Sequence, residues 1–250
     1  MKKFKYKIIL FFCILLFSYS IFNILNWYKD SNSIAKESEN LLNTANVINS
    51  EIASTEENTT NTLNSSNSIN FDGLEEINKD VVGWIQVDGT NINYPIVQTK
   101  DNSYYLNHSF SKEENKSGWI FLDYRNDINN FDKNTIIYGH SRYDSSMFGS
   151  LRNCLKKSWF NSSKNREVHL TIKSGNTTWK IFSVYHLPIT SDYLATSFKN
   201  DEEFNSFIKL IKNRTVFDFG IKVTSKDKIL TLSTCFRTNE RMVVHAKLIS

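Results

Sequence analysis

Cys235 lies where a catalytic nucleophile could be held. It ends an alternating apolar segment, Ile229–Cys235, and Arg241 begins the next one, Arg241–Leu248. A hairpin through the five residues between them would place Cys235 opposite Arg241, with both side chains on one face. A guanidinium in that position lowers the pKa of a thiol or stabilises an oxyanion. Arg237 is also near, but a turn residue usually points to solvent, so we prefer Arg241.

A nucleophilic cysteine needs a proton partner, and His140 is the best placed of the five histidines. It directly follows a predicted strand that ends at Tyr138, and loops at strand ends often carry catalytic groups. His245 lies four residues after Arg241 in a strand interior, which is more typical of a packing or surface residue. The others have no special setting: His108, His169 and His186. The alternative for Cys235 is a small buried apolar residue, and the residues alone leave both interpretations open.

Composition limits the partners of the chain. The 30 Lys and Arg against 26 Asp and Glu give a net charge of +4, which is too mild to indicate nucleic-acid binding. The three cysteines, Cys13, Cys154 and Cys235, include no CxxC pair, so neither a zinc site nor a disulfide framework is expected. Cys13 falls in an apolar run and Cys154 in a helical pattern, which indicates structural roles. No acidic cluster has calcium-loop spacing, and we expect no metal and no cofactor.

The N-terminus predicts a membrane anchor. Four lysines in residues 1–7 precede an apolar run at 8–28, whose 21 residues would span ~31 Å as a helix, about the thickness of a hydrocarbon core. Trp27 and Tyr28 would lie at the far interface, and the lysines would keep residues 1–7 in the cytoplasm. A cleaved signal peptide is the alternative, but no small-x-small cleavage site follows the run.

Residues 29–70 form a polar linker rich in Ser, Asn, Thr and Glu. Such a segment cannot bury enough apolar surface to fold alone, so we expect a solvated extracellular stalk. An amphipathic helix or weak coiled coil is the alternative, because five apolar residues recur at helical spacing: Ile34, Leu41, Ala45, Ile48 and Ile52.

Aromatic residues return at Phe71, where we place the start of one folded domain, 71–250. Asp72-Gly-Leu-Glu75 has the spacing of a capping box, and Asp88-Gly89 indicates a two-residue hairpin turn. Strands are predicted at 84–87, 90–94, 118–123, 134–138, 167–173, 177–187, 229–235 and 241–248, and helices at 147–155 and 201–213. Short strands with few helices favour a mainly β barrel or sandwich over an alternating α/β sheet.

Thr231-Leu-Ser-Thr-Cys235 resembles the cysteine signature of the sortases, membrane-anchored transpeptidases of Gram-positive bacteria. Tyr138-Gly-His140 is similar to the sortase histidine motif, and Arg241 holds the place of the family arginine. Segments 101–106 and 117–126 resemble class B members. The resemblance covers residues 71–250. It implies a closed eight-stranded β-barrel with N-terminal helices, and places the helix at 201–213 between strands six and seven.

The resemblance also implies roles. Cys235 attacks the Thr carbonyl of a C-terminal sorting signal of NPQTN type, His140 serves as general acid and then base, and Arg241 steadies the oxyanion. The substrate-binding residues would be Tyr138, Ser233, Thr234, Asn102 and Leu106. Some class B members carry an acidic residue just after the cysteine, where this chain has Phe236. Asp123 and Asp144 are the acidic residues near the motifs, and we interpret both as structural.

The implied partners are surface proteins that carry the sorting signal and the amine of a peptidoglycan precursor of lipid II type. The enzyme would act outside the cell membrane, as a single-pass thiol peptidase and acyltransferase that anchors proteins to the cell wall. One alternative is a membrane-anchored cysteine peptidase that only hydrolyses; an added amine separates the two, since only a transpeptidase forms a ligated product. Another is a non-enzymatic surface-binding module with an inert Cys235, which thiol labelling would reveal.

Overall fold

The computed structural model describes residues 2–55, 69–237 and 239–250. The side chains of Cys235, Arg237, Ile48 and Ile52 lie outside the described part, as does the portion of the predicted linker at 56–68. The four α-helices are α1 (Lys2–Thr55), α2 (Phe71–Ile77), α3 (Lys157–Asn161) and α4 (Asp201–Asn213). Short 3₁₀ helices occur at Tyr104–Leu106, Gly149–Leu155 and Ser163–Asn165.

Eight strands close into a barrel in the order β1-β2-β3-β4-β7-β8-β6-β5. The strands are β1 (Val81–Val87), β2 (Asn93–Val97), β3 (Phe121–Leu122), β4 (Asn134–Tyr138), β5 (Glu167–Ile172), β6 (Gly175–Pro188), β7 (Ile229–Arg237) and β8 (Glu240–Leu248). Two neighbouring pairs, β2 with β3 and β4 with β7, run parallel, and the others run antiparallel. The predicted mainly β class and the closed barrel implied by the resemblance are confirmed.

Two local predictions are wrong in detail. Residues 88–92 separate β1 from β2, so the hairpin loop is five residues long rather than two. Within this loop, the Asn91 amide donates to Oγ of Ser150 at 3.1 Å and not to the opposite strand. The predicted strand at 118–123 shrinks to β3 because the Trp119 amide pairs with the carbonyl of Tyr105 instead of a neighbouring strand.

The helices follow their local signals. α4 begins after Asn200, whose side chain accepts a 2.9 Å hydrogen bond from the Glu203 amide, and its apolar face packs on β6. α2 is capped by Asn70, which accepts from the Gly73 amide at 3.0 Å, and not by the predicted capping box at Asp72. The predicted helix at 147–155 is the 3₁₀ helix Gly149–Leu155.

The second half of α1 packs against the barrel domain. Ile34, Leu41 and Ala45 are buried in the main apolar core. Oε1 of Glu37 accepts hydrogen bonds from the Ser111 amide and hydroxyl, both at 2.7 Å. The expectation of a solvated stalk is therefore wrong for residues 34–45, where the helical alternative holds, because three apolar residues on one face suffice to dock a helix that could not fold alone.

Candidate active site

A cavity of about 540 Å³ opens where β4 and β7 end. Its lining includes all seven sequence-predicted site residues whose side chains the structure describes. These are Asn102, Leu106, Tyr138, His140, Ser233, Thr234 and Arg241. The backbone of Cys235 continues β7 directly from Thr234, so the cysteine follows a residue of the cavity wall.

Strand register brings the three predicted catalytic positions together. Tyr138 at the end of β4 is the parallel partner of Ser233 on β7, and the Gly139 amide donates to the Ser233 carbonyl at 3.3 Å. The residue after Gly139 therefore leaves the sheet beside the end of β7. On the other side of β7, Cys235 and Arg241 are direct antiparallel partners, which confirms the predicted register.

The loop after β4 is shaped by a close approach at Gly139. A Cβ on this residue would lie 2.8 Å from the ring of Phe148, so only glycine fits without a shift of the aromatic side chain. The carbonyl of His140 accepts from the Phe148 amide at 3.0 Å. This contact fixes the backbone from which the His140 imidazole projects towards the cavity.

The His140 ring is oriented by the opposite wall. Its Nε2 lies 2.7 Å from the carbonyl oxygen of Leu106. A carbonyl oxygen can only accept, so this contact assigns the hydrogen to Nε2. Nδ1 is then the nitrogen whose protonation can change, as a general acid and base requires.

Asp123 ties two walls of the cavity to one buried carboxylate. Its Oδ2 accepts from the phenol of Tyr138 at 2.9 Å and from Nδ2 of Asn102 at 3.0 Å. Arg125 binds the same carboxylate through Nε at 2.8 Å and Nη2 at 2.7 Å. Asp123 is fully buried, so the structural role expected for it agrees with its position.

The charge on Asp123 is set by these partners. Burial alone would raise the pKa of Asp123, but the hydrogen bonds from Arg125 and Tyr138 outweigh it and hold the pKa below its usual value. Burial and the adjacent carboxylate raise the pKa of Tyr138 well above its usual value. Tyr138 is therefore a neutral hydrogen-bond donor at the cavity wall and not a base.

The loop after β6 supplies cavity residues that the sequence did not indicate. Ile189, Thr190, Ser191, Tyr193 and Leu194 all line the cavity. The phenol oxygen of Tyr193 lies 3.0 Å from Oγ of Ser233. The segment has no strand or helix periodicity, so the sequence did not predict it as part of the site. The one signal available was the aromatic residue at 193, which is typical of a loop fixed by packing.

Thr234 presents an unsatisfied hydroxyl at the cavity wall. Its side chain is buried, and among the described residues Oγ1 has no hydrogen-bond partner. A buried hydroxyl without a partner is costly, which suits a group that bonds a ligand when one is present.

The remaining sequence candidates lie away from the cavity. His245 is fully buried, with Nε2 2.8 Å from the phenol of Tyr185 and Nδ1 2.8 Å from Oγ1 of Thr231. Burial lowers the pKa of His245 to about 3, so it is a neutral core histidine. Cys154 is fully buried, and its burial raises the pKa of the thiol, which agrees with a structural role.

Asp144 also has a structural setting. Its carboxylate accepts from the hydroxyl and amide of Ser146 and from the hydroxyl of Ser31 on α1. Burial by itself would raise the pKa of Asp144, but the hydrogen bonds from Ser146 and Ser31 lower it to about 2.

Outside the cavity, one cluster has the residue types of metal ligands. One ligand atom each of Asp88, Glu167 and His169 lies within 4.8 Å of the others. Glu167 is already paired with Lys180, whose Nζ lies 2.7 Å from Oε1, and His169 lies 3.5 Å from Asp88. These contacts account for the cluster as polar pairs among residues of β5, β6 and the loop after β1.

The fold and the cavity match one family. The Sortase domain model matches residues 85–249, so the chain belongs to the sortase family of cysteine transpeptidases. Its relatives are of the B type: it is 41% identical over 183 residues to Sortase B of Staphylococcus aureus, covering 72% of this chain and 74% of the relative.

Solved structures agree with this family. The Staphylococcus aureus sortase B–substrate complex superposes with a TM-score of 0.75 at 34% identity, covering 89% of this chain and 99% of the other. A crystal structure of sortase B complexed with triglycine has a TM-score of 0.75 and 34% identity, covering 88% and 99%. Among the described residues, the first half of α1 is long and apolar enough to cross a membrane.

Proposed function

We propose that the chain cleaves a C-terminal sorting signal of NPQTN type after its Thr and transfers the acyl group from Cys235 to an amine of a peptidoglycan precursor. The product is a surface protein joined to the cell wall. The observation that carries this proposal is the register at the cavity end, where His140, the backbone of Cys235 and Arg241 come from adjacent elements.

The reaction has two balanced halves. The thiolate of Cys235 attacks the Thr carbonyl, and the guanidinium of Arg241 stabilises the oxyanion. The C–N bond then breaks, and the leaving amine takes a proton from His140. In the second half, His140 removes a proton from the incoming amine, which attacks the thioester and releases the Cys235 thiolate.

The cavity suits an acyl-enzyme whose thioester must avoid hydrolysis until the amine arrives. Much of its lining is apolar, including Leu106, Phe121, Ile189 and Leu194. An apolar groove filled by the signal peptide leaves little room for water beside the thioester. Polar groups at Asn102, Tyr138, Ser233 and Thr234 would hold the peptide by hydrogen bonds.

The amine partner is inferred from chemistry and from a relative. A sortase B has been solved with triglycine, a peptide with a free α-amine. For this chain we propose the amine of a peptidoglycan precursor of lipid II type. Such a precursor is carried on a lipid, so both substrates would be presented at the membrane.

α1 supplies the anchor in this proposal. Residues 1–7 lie in the cytoplasm, 8–28 cross the membrane, and the extracellular domain of 71–250 follows the segment 29–70. The side chains of the apolar run are exposed in the isolated chain, as lipid-facing residues should be.

The test uses the full chain in detergent micelles with a fluorogenic NPQTN-type peptide and triglycine. Cleavage after Thr together with a triglycine adduct, both lost in Cys235→Ala, supports the proposal. Cys154→Ala is the matched control, because Cys154 is buried outside the cavity. A Cys235→Ala variant that retains activity overturns the proposal.

The second candidate is a cysteine peptidase that only hydrolyses, for which the same three residues would serve. It is favoured if the peptide is cut by the wild-type chain and no amine, whether triglycine or diaminopimelate, appears in the product.

A further inference from the structure

The cavity end of the barrel is joined to α1 at the point where its apolar run ends. The guanidinium of Arg142, two residues after His140, lies 5.8 Å from the ring centroid of Trp27. Nη2 of Arg142 also donates to the Ser31 hydroxyl at 2.9 Å, and that hydroxyl donates to Asp144. The loop at 141–146 is therefore held at residues 27–31 of α1.

A second loop of the cavity rim meets the same stretch of helix. Asn26, Lys29 and Asp30 of α1 share a small cavity of about 340 Å³ with Asn107 and the segment 114–116. Asn107 follows Leu106, whose carbonyl binds the His140 ring. The two loops that contain His140 and its hydrogen-bond partner Leu106 therefore both lie beside residues 26–31 of α1.

The far end of the barrel is joined to α1 much further along the helix. The carbonyl of Ala45 accepts from the Asn70 amide at 3.1 Å, at the start of α2. Glu75 of α2 pairs at 2.5 Å with Lys173, beside the turn between β5 and β6. β6 runs from this turn for 14 residues to the cavity loop, so the turn lies at the opposite end of the barrel.

The contacts of α1 at the two ends of the barrel show how the barrel is oriented along this helix. Ser31 and Ala45 are 14 residues apart on one helix, a rise of ~21 Å. The joint at the cavity end lies only three residues beyond Tyr28, where the apolar run stops. If α1 crosses the membrane, the cavity end is the end of the barrel nearer to the lipid.

We propose that the barrel stands on the outer leaflet with its cavity end down, and that the loop at 141–146 contacts the phospholipid headgroups. This rests on the membrane anchoring stated under the proposed function. Tyr143 in the loop is 92% exposed and directly follows Arg142, which lies over Trp27, and an exposed tyrosine suits the polar–apolar boundary of a bilayer. A cavity at the height of the headgroups could bind a membrane-tethered signal peptide and a lipid-carried amine while both remain attached to the bilayer.

The experiment places a fluorescent donor at either end of the barrel. The full chain with Cys13→Ala and Cys235→Ala carries either Tyr143→Cys or Ser174→Cys, and the remaining thiol, Cys154, is buried from the label. Each variant is reconstituted into vesicles of phosphatidylcholine and phosphatidylglycerol with rhodamine acceptors on a fraction of the headgroups. Flotation with the vesicles tests the anchor separately.

We expect both variants to float, with strong energy transfer at position 143 and weak transfer at 174, as a height difference of ~20 Å requires. Flotation with equal transfer at both positions, or stronger transfer at 174, overturns the orientation and leaves the anchor intact. A chain that does not float overturns the anchor and the orientation together.

Discussion

The phenol of Tyr138 donates a 2.9 Å hydrogen bond to Oδ2 of Asp123, so a residue of the cavity wall is fixed by a carboxylate that solvent does not reach. Arg125 also binds that carboxylate, and Nδ2 of Asn102, another cavity residue, donates to the same oxygen. One buried charge thereby sets the positions of two walls.

Replacing Asp123 by Asn should disturb both walls. The variant removes the charge that Arg125 binds, and we expect a loss of about 2 kcal/mol in the free energy of unfolding. KM for the signal peptide should rise more than kcat falls, because Asp123 does not itself line the cavity. Urea unfolding and steady-state kinetics measure the two effects. Tyr138→Phe is the matched control and should cost about 1 kcal/mol, since it deletes one hydrogen bond. Equal effects from the two variants would contradict this role of Asp123.

His140→Ala should slow turnover strongly while the fold persists. General acid–base catalysis contributes ~10²–10⁴ in rate, so kcat for peptide cleavage should fall by about that factor. His140 is half-buried at a loop, so the melting temperature should change little. His169→Gln, outside the cavity, is the control and should retain wild-type rates. A His140→Ala enzyme within a few-fold of wild type would remove His140 from the mechanism.

Arg241 and Arg237 can be separated by substitution. Loss of an oxyanion donor costs ~10²–10³ in kcat, and we expect Arg241→Gln to lose about this much. Arg241→Lys should recover part of it, because the charge returns without the planar fork. Arg237→Gln should leave kcat near wild type. If Arg237→Gln proves the more damaging change, the assignment of the oxyanion role passes to Arg237.

Stability should depend on pH through His245. The pKa of this ring is about 3 in the folded chain against 6.5 in a model peptide, so the unfolded chain binds a proton that the folded chain refuses. The stability contributed by neutral His245 is fully present above pH 6.5 and is lost as the pH falls towards 3, with a slope of at most about 1.4 kcal/mol per pH unit.

Urea unfolding between pH 7 and pH 5 measures this slope, in a range above the titration of ordinary carboxylates. His245→Gln should flatten it, with the unsubstituted chain measured in parallel as the reference. An unaltered slope in His245→Gln would show that other groups carry the pH dependence.

Docking of α1 should depend on Glu37. Its carboxylate accepts from Ser109 and twice from Ser111, so Glu37→Ala removes three hydrogen bonds across the contact. We expect faster amide hydrogen exchange over residues 30–45, with protection of the barrel strands retained. Glu39→Ala, at an exposed position on the same helix, is the control. Equal exchange in the two variants would mean that apolar burial alone holds the helix.

Elements with clear local signals were predicted closely from the sequence. β4 and α4 have the bounds that periodicity indicated, and the opposed positions of Cys235 and Arg241 follow from counting along two strands. Closure of the barrel came from the family resemblance, because strand patterns alone fit a barrel and a sandwich equally well.

Features made by distant contacts were missed. Nothing local to Asp123 indicates that it will meet Tyr138 and Asn102, and the loop around Tyr193 has no periodicity. Docking of α1 was missed for a different reason. The polar composition of the segment predicted that it would be solvated. Composition does not depend on the order of residues, so it cannot show that three spaced apolar residues will pack against a complementary surface.

The order of strands around the barrel has a consequence for when the enzyme first becomes competent. β7 and β8, the last two strands of the chain, fit between β4 and β6, so the ring stays open until the C-terminus is present. His140 and Cys235 come from segments far apart in the chain, and closing such long loops is slow. A chain that lacks its last two strands therefore has His140 without Cys235 beside it. We therefore expect the proposed catalytic residues to come together in one late step, when β7 and β8 join the barrel.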